Sequence, residues 1–367
     1  MARGSTLVTL RPNATTQKAL VSTTSRMVGE YDADGILVTH AWPDFYDQAA
    51  MSRMVTGLAP RSALVCVFET SPTDTEAGSP VPDYSSTGFR ICSYLSLLFG
   101  KRFDHHGMIE HSGFFHVPDL AQFAELSDRS LPHNSDAPRV DFGIPLDLTE
   151  VVRIRNLLTS QELDQRFLRI FQSACKFYLR SLQNAEHDPE VAYLHLVTAG
   201  EILSSWFEFQ KEALLDDQTA GIVSRIRTAS SDGPELADSV LTRLLQLKKR
   251  FVCTLLRLVD SEFFGRSEAF GRLPGFEAGT FPSVVAAAYD LRSRYVHTGI
   301  PFGTWVSLRI GGLNNELQVG KPVVNDSDFG KMLAAAPTYI GLERILRYCL
   351  LRFSAMNGAY VTPRAPK

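Results

Sequence analysis

The chain has 367 residues, 44% of them hydrophobic and 21% charged, with a formal net charge of −3. That length allows two domains and a sizeable core, and the composition is that of a globular chain rather than a disordered one. A net charge so close to zero argues against a protein that coats nucleic acid without regard to sequence.

The sum hides an asymmetry. Residues 1–145 carry 11 Lys and Arg against 16 Asp and Glu, which leaves 26 against 24 for the remainder, so a surface that holds a phosphate backbone is expected in the second half. The cysteines, Cys66, Cys92, Cys175, Cys253 and Cys349, are scattered without C-x-x-C spacing. They suggest neither a disulfide framework nor a thiolate metal site, and a reducing cytoplasmic setting is expected. No basic region followed by an apolar stretch opens the chain, and no run approaches the roughly 18 apolar residues of a membrane span. Neither secretion nor a membrane partner is expected.

Up to residue 126 the chain shows short strand-like runs, "ILVTHAW" and "ALVCVFE", separated by "SPTDTEAGSPVPDYSS", whose Pro, Ser and Gly content describes an exposed loop. An α+β or mostly β domain is expected over 1–126. Residues 127–149, "SDRSLPHNSDAPRVDFGIPLDLT", hold no sustained period and several breakers, and are expected to be a linker. From 150 to 367 the period turns helical. In "DQRFLRIFQSACKFYLRSL", Phe167, Phe171, Ala174, Tyr178 and Leu182 recur at steps of three and four, with Arg169, Lys176 and Arg180 mostly elsewhere. This amphipathic helix is expected to end before Pro189. The next, "EVAYLHLVTAGEILSSWFEF", is apolar nearly all round, which places it centrally in a bundle with Glu201 in its middle. Further helices are expected at about 234–263, 281–298 and 338–356. "WVSLRI" and "ELQVGKPVV" flank "GGLNN" and predict an inserted hairpin.

The helix at 281–298 closes on "AYDLRSRYVHTG", with Gly299 and Pro301 as its stop signal. Read from helix physics alone, basic residues in that last turn complement the macrodipole, for a few tenths to about 1 kcal/mol. The spacing of Arg292 and His297, R-x(4–6)-H, together with "YDLRSRYVHTG" and the upstream "DPEVAYLHLVTAGEIL", resembles HEPN ribonuclease domains of the ApeA-like branch. The likeness covers about residues 155–356. A second match to the spacing, Arg180 to His187 in "RSLQNAEH", lies at a helix end and is read as chance. "ICSYLSLLFGKRF" is similar to segments that precede such domains. Gly200 stands where the family more often has leucine, a departure expected to loosen packing beside Glu201.

The resemblance implies an all-α HEPN bundle, metal-independent cleavage of RNA without a cofactor, and a homodimer whose two motifs face a shared groove. It also implies a prokaryotic defence or growth-arrest effector. RNA carries its own nucleophile, the 2′-hydroxyl, so an enzyme needs only to move protons and stabilise charge on the phosphorus oxygens. His297 is the residue to exchange protons near neutrality, and Arg292 a permanently charged fork for phosphate. Ser293 and Arg294 are secondary candidates, Arg294 for a phosphate contact and Ser293 for a hydrogen bond to substrate or to His297. Glu201, a charge on an apolar helix, needs a partner. Arg292 is expected, with His195 or Arg250 as the structural alternatives. A HEPN domain kept for dimerisation and interaction, without catalysis, is the second functional reading.

Two other groups carry charge or metal-ligand chemistry. "RFDHHGMIEHSGFFH" gathers His105, His106, His111 and His116 with Asp104 and Glu110, a conceivable zinc or manganese site, although the spacing matches no zinc motif. A polar hairpin with exposed imidazoles is the expectation. "RLLQLKKR", with Lys248, Lys249 and Arg250, is read either as a guide for RNA or as a solvated helix face. The 1–126 region is a candidate for a regulatory protein or ligand. Glycine-rich phosphate loops and G-x-S-x-G elbows are absent from the sequence.

Overall fold

The computed structural model describes residues 15–41, 61–70, 82–120, 125, 127–159, 163–210, 212–215, 217–243, 246–307 and 309–362. The protein is α+β, with one antiparallel sheet in its N-terminal part and helices dominating the rest.

The sheet contains β1 (Thr15–Thr23), β2 (Tyr31–Ala33), β3 (Ile36–His40), β4 (Ser62–Thr70), β5 (Phe103–His111) and β6 (Phe114–Phe115), in the spatial order β2-β3-β4-β1-β5-β6. "ILVTH" and "ALVCVFE" thus become β3 and most of β4. The loop between β4 and the first helix falls largely outside the described residues. That helix, α1 (Ser85–Phe99), is "ICSYLSLLF" and the residues before it; it is buried from Ile91 onward and packs against β5. Gly100 closes it in the left-handed region, φ 63°, where its amide donates to the Ser96 carbonyl.

Residues 127–149, expected as a linker, are packed structure. Arg139 and Asp141 are buried. Arg139 bonds Glu268 and Glu343, and Asp141 takes two bonds from Arg344, at 2.9 and 3.1 Å. The absence of a period there reflects irregular backbone, not a loose connection.

The helices that follow are α2 (Arg155–Thr159), α3 (Gln165–Asn184), α4 (Pro189–Ser204), α5 (Asp217–Ala229), α6 (Gly233–Arg243), α7 (Leu247–Leu258), α8 (Ser261–Phe264), α9 (Phe281–Thr298), α10 (Ser327–Ala335) and α11 (Tyr339–Met356). Asp164 caps α3 by accepting from the Phe167 amide, and Asp188 caps α4 by accepting from Val191, with Pro189 in the first turn. The expected 234–263 helix is instead three. Gln246 interrupts it at φ 45°, and an extended Val259 followed by the capping Asp260 starts α8. Helices α5 and α6 pair around a small core of their own, Val223, Ala237 and Leu241. A single larger core runs from the sheet through α3, α4, α7, α9 and α11.

The inserted hairpin does not form. Gly303–Ser307 and Ile310–Gly312 are short 3₁₀ turns, and among the described residues the segment contributes one bridge, Leu317 to Pro337. Its side chains explain why. The Trp305 indole donates to the Leu333 carbonyl at 3.0 Å, and buried Glu316 pairs with Arg344 at 2.9 Å. These anchors hold the segment to the bundle, and two successive glycines with positive φ, Gly311 and Gly312, turn the chain there.

Gly200 corrects another expectation. A Cβ on it would lie 2.4 Å from the Phe251 ring and 3.3 Å from Leu346. Its bare backbone lets α7 approach α4, so the departure tightens packing beside Glu201. All five cysteines are free, and no helix among the described residues is long and apolar enough to cross a membrane.

Candidate functional site

Helix α9 packs against α7, α10 and α4. Its buried stripe, Val284, Val285, Ala288 and Leu291, faces the core, and Arg292 to Tyr295 are half-buried. From Val296 on, the helix end is exposed, with Gly299 at φ 67° returning its amide to the Tyr295 carbonyl. The expected boundary therefore holds, set by a residue that adopts the left-handed region without strain.

Arg292 meets Glu201. One guanidinium N–H donates to Glu201 Oε2 at 2.9 Å, and the two side chains are 22% and 18% exposed. Glu201 lies in the last turn of α4, where the helix dipole disfavours a carboxylate, so the cation opposite compensates dipole and burial together. Tyr289, one turn before Arg292, joins them: its phenol hydrogen-bonds Glu201, and burial, with the carboxylate second, pushes it up to about 12. The guanidinium also lies 5.9 Å from the Tyr289 ring. The remaining N–H groups of the Arg292 fork bond no acceptor among the described residues.

His297 is exposed at the open end of the same helix. It stands five positions after Arg292, which on a continuous helix is about 140° of rotation and about 7.5 Å of rise. One chain thus presents the fork and the imidazole on different faces. Ser293 is half-buried between them. Arg294 is engaged elsewhere: it pairs with Asp326 at 2.8 Å and lies 4.5 Å over the Phe329 ring. Asp326 is the N-cap of α10, so Arg294 ties two helices together and is not free for phosphate.

The basic run is also mostly occupied. Lys248 pairs with Asp290 at 2.6 Å, and Arg250 donates to the carbonyls of Ser204 and Phe207 at 3.3 and 3.2 Å, satisfying the end of α4. Lys249 is the one of the three whose residue is exposed. Arg250 is thereby no partner of Glu201, and neither is His195, whose ring packs 5.7 Å from Phe177.

The histidine group is a hairpin, β5–β6, but its imidazoles are not all exposed. His106 is 4% exposed, its ring bridging Ser22 Oγ at 2.7 Å and the Asp119 carbonyl at 3.1 Å. His105, on the opposite face of the strand, lies under α1 against Gly88. His111 and His116 stack on each other with centroids 4.2 Å apart. Strand alternation splits the set, and among the described residues no group of three or more His, Cys, Asp or Glu is placed to hold a metal ion. Burial first, then the neighbouring His106, pushes His105 down to about 4. In the unfolded chain His105 takes up its proton near pH 6.5, while in the folded protein it does so only near 4. It therefore withdraws stability as pH falls from about 6.5 to about 4. Urea titrations across that window are expected to show a shallower loss for His105→Gln than for the parent. Parallel curves would place the imidazole in solvent.

No family model, curated protein or solved structure matches the chain.

Proposed function

We propose that the protein is a HEPN-type, metal-independent endoribonuclease acting as a homodimer, with Arg292 and His297 as its catalytic residues and RNA as its substrate. The observation that carries this reading is the Glu201–Arg292 pair, which holds one side of the guanidinium and leaves the other open beside the exposed helix end bearing His297. In the reaction, the 2′-hydroxyl oxygen attacks phosphorus and its proton is removed. The bond from phosphorus to the 5′-oxygen breaks, and that oxygen is protonated. His297 moves protons in this exchange, and Arg292 holds the charge on the non-bridging oxygens. Two copies that face their α9 ends across one groove bring an Arg292 and a His297 together despite the 140° between them in one chain. The defence or growth-arrest role belongs to the same reading.

The test is cleavage in EDTA. RNA is expected to be cut to fragments with 2′,3′-cyclic phosphate ends, and DNA of the same sequence to remain whole because it lacks the nucleophile. Cleavage that chelation stops and manganese restores would overturn the metal-independent mechanism.

Glu201 is a positioning residue in this scheme. Glu201→Gln keeps an acceptor for the guanidinium but loses the charge that aims it. We expect an unchanged circular dichroism spectrum, an unfolding midpoint close to the parent's, and cleavage slower by about 10- to 100-fold, the scale of a misaimed catalytic group. Full activity in that variant would reduce the pair to a packing role.

A second reading, a HEPN module for dimerisation without catalysis, is favoured by one observation. Val296 and Ile300, on either side of His297, are 54% and 41% exposed, an apolar pair suited to cover by another copy. A dimer in light scattering with no RNA cleavage under any divalent-ion condition would select it.

A further inference from the structure

Cations in this protein are mostly engaged. Arg61, Arg102, Arg139, Arg292, Arg294 and Arg344 all pair with carboxylates. Three that do not, among the described residues, converge on one place. Arg90 of α1 and Lys176 and Arg180 of α3 line a cleft of about 560 Å³ between those two helices, and no carboxylate is among its lining residues. Neither Arg292 nor His297 reaches it.

The rest of the lining has the same character. The cleft opens on the first turn of α1, a helix of 15 residues with no acidic side chain in that turn and no side-chain cap. Asp83 accepts from the Ser85 amide at 2.8 Å, and the Ser86 amide bonds no acceptor among the described residues. The Asp83 carboxylate offsets the positive end of the α1 dipole, so the positive charge of the cleft is that of the three cations. Ser86 and Ser173 contribute hydroxyls. His105 forms the floor and, pushed down to about 4, is neutral at physiological pH. Three like charges on facing helices repel one another, and an anion seated between them removes that repulsion and gains charge-assisted hydrogen bonds.

We infer that the cleft between α1 and α3 is a binding site for a small polyphosphate, a ligand bearing two or more linked phosphate groups. Its charge of two to three matches the three cations, and the cleft lies in the size range of small-ligand sites, about 300–1,000 Å³. The one phenyl ring in the lining, Phe89, is covered by the Arg180 guanidinium at 4.9 Å, which favours recognition of phosphate over stacking of a base on that ring. The site stands apart from the α9 end and does not rest on the ribonuclease reading.

Calorimetric titration of the full chain with inorganic pyrophosphate, at about 0.1 M salt where exposed charges are screened beyond roughly 10 Å, tests the site. Saturable binding is expected, weakened at least about tenfold in Lys176→Gln/Arg180→Gln, the loss that follows from removing a charge-assisted hydrogen bond. Neither side chain makes an ion pair, so the variant keeps its fold, which its melting curve verifies; Lys249→Gln is the control that should bind as the parent does. Titration with ADP separates the sources: equal affinity assigns the site to free polyphosphate, and tighter binding to a nucleotide held through its phosphates. Absence of saturation below about 1 mM, or a double variant that binds equally well, overturns the inference. So does a short RNA that occupies the cleft and is not displaced by pyrophosphate, since a nucleic-acid groove and not a small-ligand site would then be present.

Discussion

His297→Ala is expected to lower RNA cleavage by about 10²- to 10⁴-fold, the range for loss of a general acid or base, and to leave the unfolding midpoint almost unchanged. The two halves of that expectation come from one fact. His297 is exposed in the last turn of α9, so its removal opens no cavity and forfeits at most the few tenths to about 1 kcal/mol of a helix-end cation. Arg292→Ala should separate the two quantities less cleanly. It removes the proposed phosphate fork and also leaves the half-buried Glu201 carboxylate without its ion pair, so stability is expected to fall along with activity. Mixing the two inactive variants locates the site. If Arg292 of one subunit works with His297 of the other, half the dimers are hybrids with one intact site in two, and about a quarter of parental activity returns. If each subunit carries its own pair, the mixture stays inactive. A His297→Ala protein that cleaves at the parental rate would remove α9 from the mechanism altogether.

Arg139→Met is expected to cost about 3–5 kcal/mol, the effect of removing one member of a buried ion cluster. Arg139 is 5% exposed and bonds Glu268 and Glu343, and Tyr178 donates its phenol to the same Glu343. Burial alone lowers the Arg139 pKa, but the two carboxylates raise it well above the ordinary arginine value. With the guanidinium gone, two carboxylates remain in a space that excludes water. One must take up a proton or the segment must open. The same cluster continues through Arg344, held by Asp141 and Glu316. The variant therefore also loosens the attachment of residues 127–149 to α11. Urea unfolding reads the loss directly, and a midpoint shift worth less than about 1 kcal/mol would mean that water reaches the cluster in the folded protein.

These two expectations differ in how far the sequence leads to them. The boundaries of the helices that carry the α9 site follow local rules, while the choice of Arg292 and His297 rests on the resemblance to HEPN domains. Helix α9 stops where a glycine takes the left-handed region, and α4 starts where an aspartate caps it and a proline fits its first turn. A charge on a helix apolar on nearly every face needs a partner, and Arg292 is the expected one because both residues belong to helices placed at the bundle centre and the resemblance aligns both with polar positions. The Arg139 cluster has no such signature. Its members lie at 139, 178, 268 and 343, spacings that no helix or strand period relates, and the segment that carries Arg139 reads as a linker.

The sequence by itself determined the elements that depend on neighbours a few residues away: β3, β4, α3, α4, α9 and α11, the glycine stop of α9, and the demand that Glu201 be paired. Only the tertiary structure decided where each cation is used. It gives Arg294 to Asp326, turns Arg250 to the carbonyls ending α4, replaces an expected hairpin by turns anchored through Trp305 and Glu316, and leaves Arg90, Lys176 and Arg180 facing one another across a cleft. Local periodicity follows from backbone geometry and burial, which act on each segment alone. An ion pair is set by distance in space between segments remote in the chain, and a one-dimensional pattern holds no record of that distance.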